Sequence, residues 1–114
     1  MNTYFGFALA DSMFVGNVII SRMVISPEQA REIVSVGIIS CLNPSHEATI
    51  RAMRSRYGID VEIPEKPIQV QLNLLDSMIV MGVRGLPRLT NRHEYSQDEI
   101  DKATFTFSIY TVCE

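Results

Sequence analysis

The chain has little of what marks membranes, secretion or metal chemistry. Its longest stretch without a charged residue or histidine, Ile33 to Ser45, contains Asn43 and Pro44. A spanning helix needs about 20 apolar residues, so no membrane segment is expected. No basic region precedes an apolar stretch at the N-terminus, and Asp11 breaks the apolar sequence there. That pattern speaks against a signal peptide and for a cytoplasmic location. The two cysteines, Cys41 and Cys113, have neither metal-ligand spacing nor the density of a secreted scaffold. They read as reduced thiols in or near strands. His46 and His93 offer no close metal spacing and no accompanying carboxylate cluster, and there is no Gly-rich phosphate loop, nucleophile elbow or zinc-finger pattern. Neither a metal nor a cofactor is expected.

What is present is an ordinary globular composition. Hydrophobic residues at 46% and charged residues at 20% exclude a disordered, collagenous or low-complexity chain. With 114 residues, no repeat and no linker, the expectation is a single domain over 1–114. The formal charge of −3 argues against non-specific binding to long DNA or RNA, where neutralising phosphates dominates affinity.

Thr3 to Ala10 and Asn17 to Ile25 are rich in aromatic and β-branched residues and read as two strands. Ser26-Pro27-Glu28-Gln29 starts a helix with a cap, a proline at the first position and a capping box. Gly37 ends it. Ile38 to Leu42 is a short apolar run with the character of a buried strand. Asn43-Pro44 opens a second helix that runs to Tyr57, with Gly58 as its stop. Ile68 to Leu74 alternates as a half-buried strand does, and Met78 to Val83 is apolar enough for a central strand. Ser96-Gln97-Asp98-Glu99 starts a third helix, and Thr104 to Val112 closes the chain as a strand. The expected fold is α/β, with α+β as the alternative: a small mixed sheet of about five strands and about three helices.

Six of the ten basic residues fall in two windows. Arg51, Arg54 and Arg56 lie on the second helix, where Arg51 and Arg54 read as a solvated face rather than an anion contact. Arg84, Arg88 and Arg92, joined by His93, follow an apolar strand with no acid from Arg84 to His93. Ligand sites in open α/β sheets lie in that place, and the planar guanidinium suits phosphate. The loop reads either as an anion contact or as a surface loop paired with the acids of the third helix.

His46 is the most informative single residue. With Asn43 as cap and Pro44 as first helical residue, it falls in the first turn, where free backbone N–H groups favour an anion. That field disfavours imidazolium in an empty site and a bound phosphate favours it, which suits a general acid in phosphodiester cleavage. The structural alternative is that His46 closes the buried stripe of Ile50, Met53 and Tyr57.

Several stretches together resemble one family. They are Tyr-Phe-Gly-Phe-Ala-Leu-Ala-Asp-Ser-Met-Phe near the start, Pro-Glu-Gln-Ala-Arg-Glu-Ile, Ser-His-Glu-Ala-Thr at 45–49, Tyr-Gly-Ile-Asp-Val at 57–61, Val-Arg-Gly-Leu-Pro-Arg and Ser-Gln-Asp-Glu-Ile. In order and spacing the chain resembles the viral ring nucleases, type III anti-CRISPR proteins whose domain also occurs in phages and bacterial mobile elements. The resemblance spans nearly the whole chain, and the His-x-x-Thr helix start is its most specific part. It implies a homodimer that binds a cyclic oligoadenylate, typically cyclic tetra-adenylate, across its two-fold and cleaves it without a metal. A ribose 2′-hydroxyl attacks the neighbouring phosphate and His46 protonates the leaving 5′-oxygen. Arg84 or Arg88 fills the place of an arginine that stabilises phosphate charge. Ser12, Asn43, Ser45, Thr49, Arg92 and His93 are the further residues expected at the ligand.

The chain also departs from the family's pattern. Phe7 and Ala10 stand where the family has polar residues in its first strand–turn, and only Ser12 keeps that character. Asn43-Pro44-Ser45 replaces a glycine before the histidine, and the family's acidic partner has no counterpart that Glu94 fills. Three functions are therefore weighed: a ring-cleaving enzyme, a sponge that sequesters a cyclic nucleotide, and an inhibitor that blocks a host protein without a nucleotide. The mild net acidity fits the first two, because a surface that repels bulk RNA can still gather arginines around a compact, multiply charged ligand.

Overall fold

The computed structural model describes residues 1–90 and 92–113. Asn91, within the basic loop, lies outside the described residues. The fold is α+β: one five-stranded mixed sheet and three helices. In chain order the elements are β1 (Thr3–Gly6), β2 (Ile20–Ile25), α1 (Pro27–Val36), β3 (Ile39–Ser40), α2 (Glu47–Tyr57), β4 (Ser77–Arg84), α3 (Gln97–Lys102) and β5 (Thr104–Val112), with short 3-10 turns at Asp11–Met13 and Pro44–His46. The strand order is β2-β5-β4-β1-β3. β1 runs parallel to β3 and β4, and β5 runs antiparallel to β4 and β2.

Local sequence accounts for the helices. The Ser26 hydroxyl accepts from Gln29 N at 3.1 Å while Gln29 Oε1 accepts from Ser26 N at 2.8 Å. Ser96 and Glu99 make the same reciprocal pair at 3.2 and 2.8 Å. Each box satisfies two donors that the helix leaves open, a contribution of about 1 kcal/mol. Gly58 ends α2 at φ 68°, a left-handed conformation that costs glycine least.

The core lies between the sheet and the helices. Phe5, Ile79, Met81, Phe105 and Phe107 from the strands pack with Ala30, Ile50, Ala52, Met53 and Ile100 from the helices. Burial of a side chain the size of Phe5 or Phe107 contributes about 1.5–3 kcal/mol. A second cluster covers the other face, where Tyr4, Met78 and Val112 meet Val70 and Leu72, flanked by Leu9, Met13 and Phe14.

Three expectations differ from the observed elements. β1 ends at Gly6 rather than Ala10, because the chain crosses the end of the sheet there. Phe7 packs into the helix-side core and Leu9 into the opposite cluster. Residues 68–74 are not a strand of the sheet. Their alternation is real, with Val70 and Leu72 buried and Gln69, Gln71 and Asn73 exposed. The segment lies over the sheet face instead, tied by Leu72 N donating to Met13 O at 2.7 Å. β2 likewise begins at Ile20 rather than Asn17, and as an edge strand it leaves Met23 and Val24 exposed.

Candidate functional site

β1, β3 and β4 are parallel, so their carboxyl ends share one end of the sheet. Three connections leave from that end: Phe7 onward after β1, Leu42 to His46 after β3, and the basic loop after β4. The β4 residues Met81–Arg84 continue past the last β1 pair, Gly6 with Val80, an overhang of about 13 Å at about 3.3 Å per residue. This is the end at which open sheets with parallel strands bind ligands.

His46 sits at the junction of the Pro44–His46 turn and α2, with φ −95° and ψ 5°. The turn is closed by its own hydrogen bonds. Asn43 Oδ1 accepts from Ser45 N at 3.0 Å, His46 N donates to Asn43 O at 3.0 Å, and Glu47 N donates to Pro44 O. Asn43 and Pro44 thus occupy the cap and first position read from the sequence. The amides of the following residues, expected to be free for an anion, are already satisfied, because a 3-10 turn bonds one residue earlier than an α-turn. What this helix start offers a ligand is its side chains. The Ser45 hydroxyl bonds to Asn43 Oδ1, and Thr49, half-buried, follows His46 by one helical turn.

The His46 ring meets Phe7 edge to face, with centroids 4.9 Å apart and planes at 62°. Phe7 in turn meets the fully buried Phe5 at 6.4 Å and 71°. Nδ1 of His46 is buried and has no hydrogen-bond partner among the described residues. No such closure affects Nε2.

The arginines divide sharply. Arg51 bonds to Glu47 at 2.8 Å and to Glu94, and Arg54 pairs with Asp60 at 3.0 Å. Arg56 donates to the carbonyls of Ile100, Asp101 and Ala103 at 2.7, 3.0 and 3.2 Å, closing the end of α3. Arg92 forks onto both oxygens of Glu99. That contact, aided by the Ser96 amide, holds the Glu99 carboxyl down at about 2. Arg84 and Arg88 are exposed and have no ion-pair or hydrogen-bond partner among the described residues.

The expected ligand residues are only partly brought together. Asn43, Ser45, His46 and Thr49 form one helix start on the helix side of the sheet. The Glu94–Arg51 pair and the packing of Leu86 and Tyr95 into the helix-side core bring the basic loop to that side. Arg88 and His93 are exposed on it. Arg84 alternates with Val83, which packs into the helix-side core, so its side chain leaves from the opposite face beside Thr104. Ser12 also lies toward that face, exposed on the turn whose Met13 packs into the second cluster. The larger surface grooves, of about 560 and 410 Å³, flank the segment 60–64 and are lined by none of the expected ligand residues, although Arg51 borders the first. The packing of Phe7 against His46 and the tie of Glu94 to α2 leave no local signal in the sequence, since both partners are distant along the chain.

No protein-family model matches the chain, and no curated protein matches it. Among solved structures the fold is similar to B116 of Sulfolobus turreted icosahedral virus, with a TM-score of 0.71 over 96% of this chain and 98% of that one, at 16% identity. The likeness is one of fold, to a viral protein. Among the described residues, no helix is long and apolar enough to cross a membrane.

Proposed function

We propose that the protein is a viral or mobile-element counter-defence factor that binds a cyclic oligoadenylate and cleaves it without a metal, silencing CRISPR-type signalling. The observation that carries this reading is the division among the arginines. Arg51, Arg54, Arg56 and Arg92 are held by the protein's own groups, and Arg84 and Arg88 remain uncommitted at the sheet end that also carries His46. The fold similarity to a viral protein supports it, as does the resemblance of the His46 helix start to the ring nucleases.

A compact ring of phosphates gives two guanidiniums from each of two chains something to bind that a long polymer does not match. The homodimer belongs to the same proposal, since a single open surface of this size does not surround a ring of four nucleotides. In the reaction, the ribose 2′-oxygen bonds to phosphorus and the bond from phosphorus to the 5′-oxygen breaks. The products are a linear chain ending in a 2′,3′-cyclic phosphate and a free 5′-hydroxyl. His46 faces the leaving 5′-oxygen and Arg88, exposed on the same side of the sheet, bears the charge of that phosphate, while Arg84, leaving from the opposite face at the same sheet end, meets another phosphate of the ring.

A second reading, a sponge that holds the ring without cutting it, is favoured by one observation. Among the described residues, the Nδ1 of His46 lacks the partner that normally supports a catalytic imidazole. Incubation with EDTA and a panel of cyclic oligoadenylates and cyclic dinucleotides, followed by separation of products, tests both readings. Linear products that vanish in His46→Ala support cleavage. Intact ligand recovered after heating supports the sponge, and retention of no ligand contradicts both.

A further inference from the structure

We infer that Phe7 is the positioning residue of this site, holding the His46 imidazole as the tautomer with its proton on Nε2, so that His46 meets the ligand as a hydrogen-bond donor. The ligand in this statement rests on the function proposed above; the tautomer does not.

Three observations carry it. The ring is fixed from behind by Phe7 at 4.9 Å, and Phe7 is itself braced by the buried Phe5. Phe7 follows Gly6, the last residue of β1, where the chain leaves the sheet, and the Met78 Cε fills the space that a side chain at Gly6 would take. Finally, Nδ1 is buried without a partner among the described residues.

A neutral imidazole carries one proton. On Nδ1 that proton makes a buried N–H with no acceptor, among the rarest arrangements in folded proteins. On Nε2 the same proton is satisfied by water, or by a phosphate or 5′-oxygen, all of them acceptors. The face of an aromatic ring is at most a weak acceptor, so Phe7 does not replace the hydrogen-bond partner that a buried N–H needs.

The assignment narrows the chemistry. An Nε2–H imidazole has its lone pair on Nδ1, which is buried out of reach of the 2′-hydroxyl, so His46 is not the general base. Complete transfer of its proton would need a second proton on the enclosed Nδ1. His46 therefore stabilises the leaving oxygen by a hydrogen bond. As the 2′-oxygen–phosphorus bond forms and the phosphorus–5′-oxygen bond breaks, the 2′-hydroxyl proton goes to water. The 5′-oxygen takes its proton from water.

The test is nuclear magnetic resonance of the uniformly 15N-labelled protein without ligand, reading the two- and three-bond proton–nitrogen correlations of His46 at a pH where the ring is neutral. The expected pattern is the Nε2–H tautomer, with Phe7→Leu admitting the other tautomer. A wild-type ring that is predominantly Nδ1–H, or an even mixture, overturns the proposal whether or not the Phe7 variant folds. The second arm uses cyclic tetra-adenylate in EDTA. His46→Gln, whose amide nitrogen lies near the position of Nε2, should retain binding within about threefold, and His46→Asn should lose about tenfold. Phe7→Leu should lower kcat about tenfold or more with KM little changed. Equal loss in the Gln and Asn variants contradicts the donor role. If the tautomer is confirmed and cyclic tetra-adenylate is neither bound nor cut, the functional reading fails and the positioning role stands. If the ring is cut by a protein whose His46 is Nδ1–H, the reverse holds.

Discussion

Arg51 in the middle of α2 reaches Glu94 in the loop after β4, while its other nitrogen holds Glu47 on its own helix at 2.8 Å. A loop with four basic side chains and no acid from Arg84 to His93 is thus clipped at its acidic far end to the helix that His46 begins. Both partners are about half exposed or more. An ion pair of that kind contributes about 0–1 kcal/mol to global stability, so its role is local.

Glu94→Ala should therefore shift the melting temperature by only a few degrees at most, about 4 °C or less. Amide hydrogen exchange should rise in residues 86–95 while remaining unchanged in β4 and β5. Equal acceleration in the central strands would show that the clip supports the whole fold.

The Arg92–Glu99 fork has a pH signature. Arg92 and the Ser96 amide hold the Glu99 carboxyl at about 2, against an ordinary 4.5. A depressed folded-state value means that the contribution is complete above about 4.5 and lost as pH falls from there toward 2. Hydrogen exchange at the α3 amino end should accelerate across that window in the wild type. Glu99→Gln should remove that part of the pH dependence. An unchanged profile in the variant would place the transition elsewhere.

Two groups of arginine variants should separate stability from binding. Arg84→Gln and Arg88→Gln should leave the melting temperature within about 2 °C and each weaken binding of cyclic tetra-adenylate about tenfold. Arg56→Gln should do the opposite. It frees three carbonyls at the end of α3, at a cost of about 1–2 kcal/mol, with binding unchanged. Thermal melts and calorimetric titration of the same preparations give both quantities.

The two thiols should differ in reactivity. Burial pushes the Cys41 thiol up, against a smaller opposing effect of the Phe5 backbone, whereas Cys113 is exposed after β5. Limited alkylation at pH 8 followed by mass spectrometry should label Cys113 first, with Cys41 slower by about tenfold or more. Equal labelling would mean that the end of β3 opens readily.

The parts of the fold legible in the sequence are those set by neighbours along the chain. Ser26 with Gln29, Ser96 with Glu99, and Asn43 with Pro44 mark helix starts because capping is decided within four residues. β4 and β5 are legible from apolar content and alternation. Residues 68–74 show the limit of that signal, since alternation reports one buried side and not the presence of a ladder. A segment laid across Tyr4 and Met78 satisfies it equally well.

The site was legible as a set of residue types and not as an arrangement. Of the alternatives for the basic loop, pairing with the third helix holds for Arg92. The fates of Arg51 and Arg56 depended on groups more than 40 positions away, which no local pattern encodes. His46 has features of both of its readings. It lies in the first turn as the cap predicts, yet its Nδ1 is shut in beside Phe7 as a core histidine's would be.

The most direct measurement of the central claim is calorimetric titration of cyclic tetra-adenylate into the wild type and into the Arg84→Gln/Arg88→Gln double variant, in EDTA and at two salt concentrations. The account predicts saturable binding of one ring per two chains, weakened by salt and by about a hundredfold in the double variant. Absence of binding by the wild type, or binding that the double variant leaves unchanged, would contradict it.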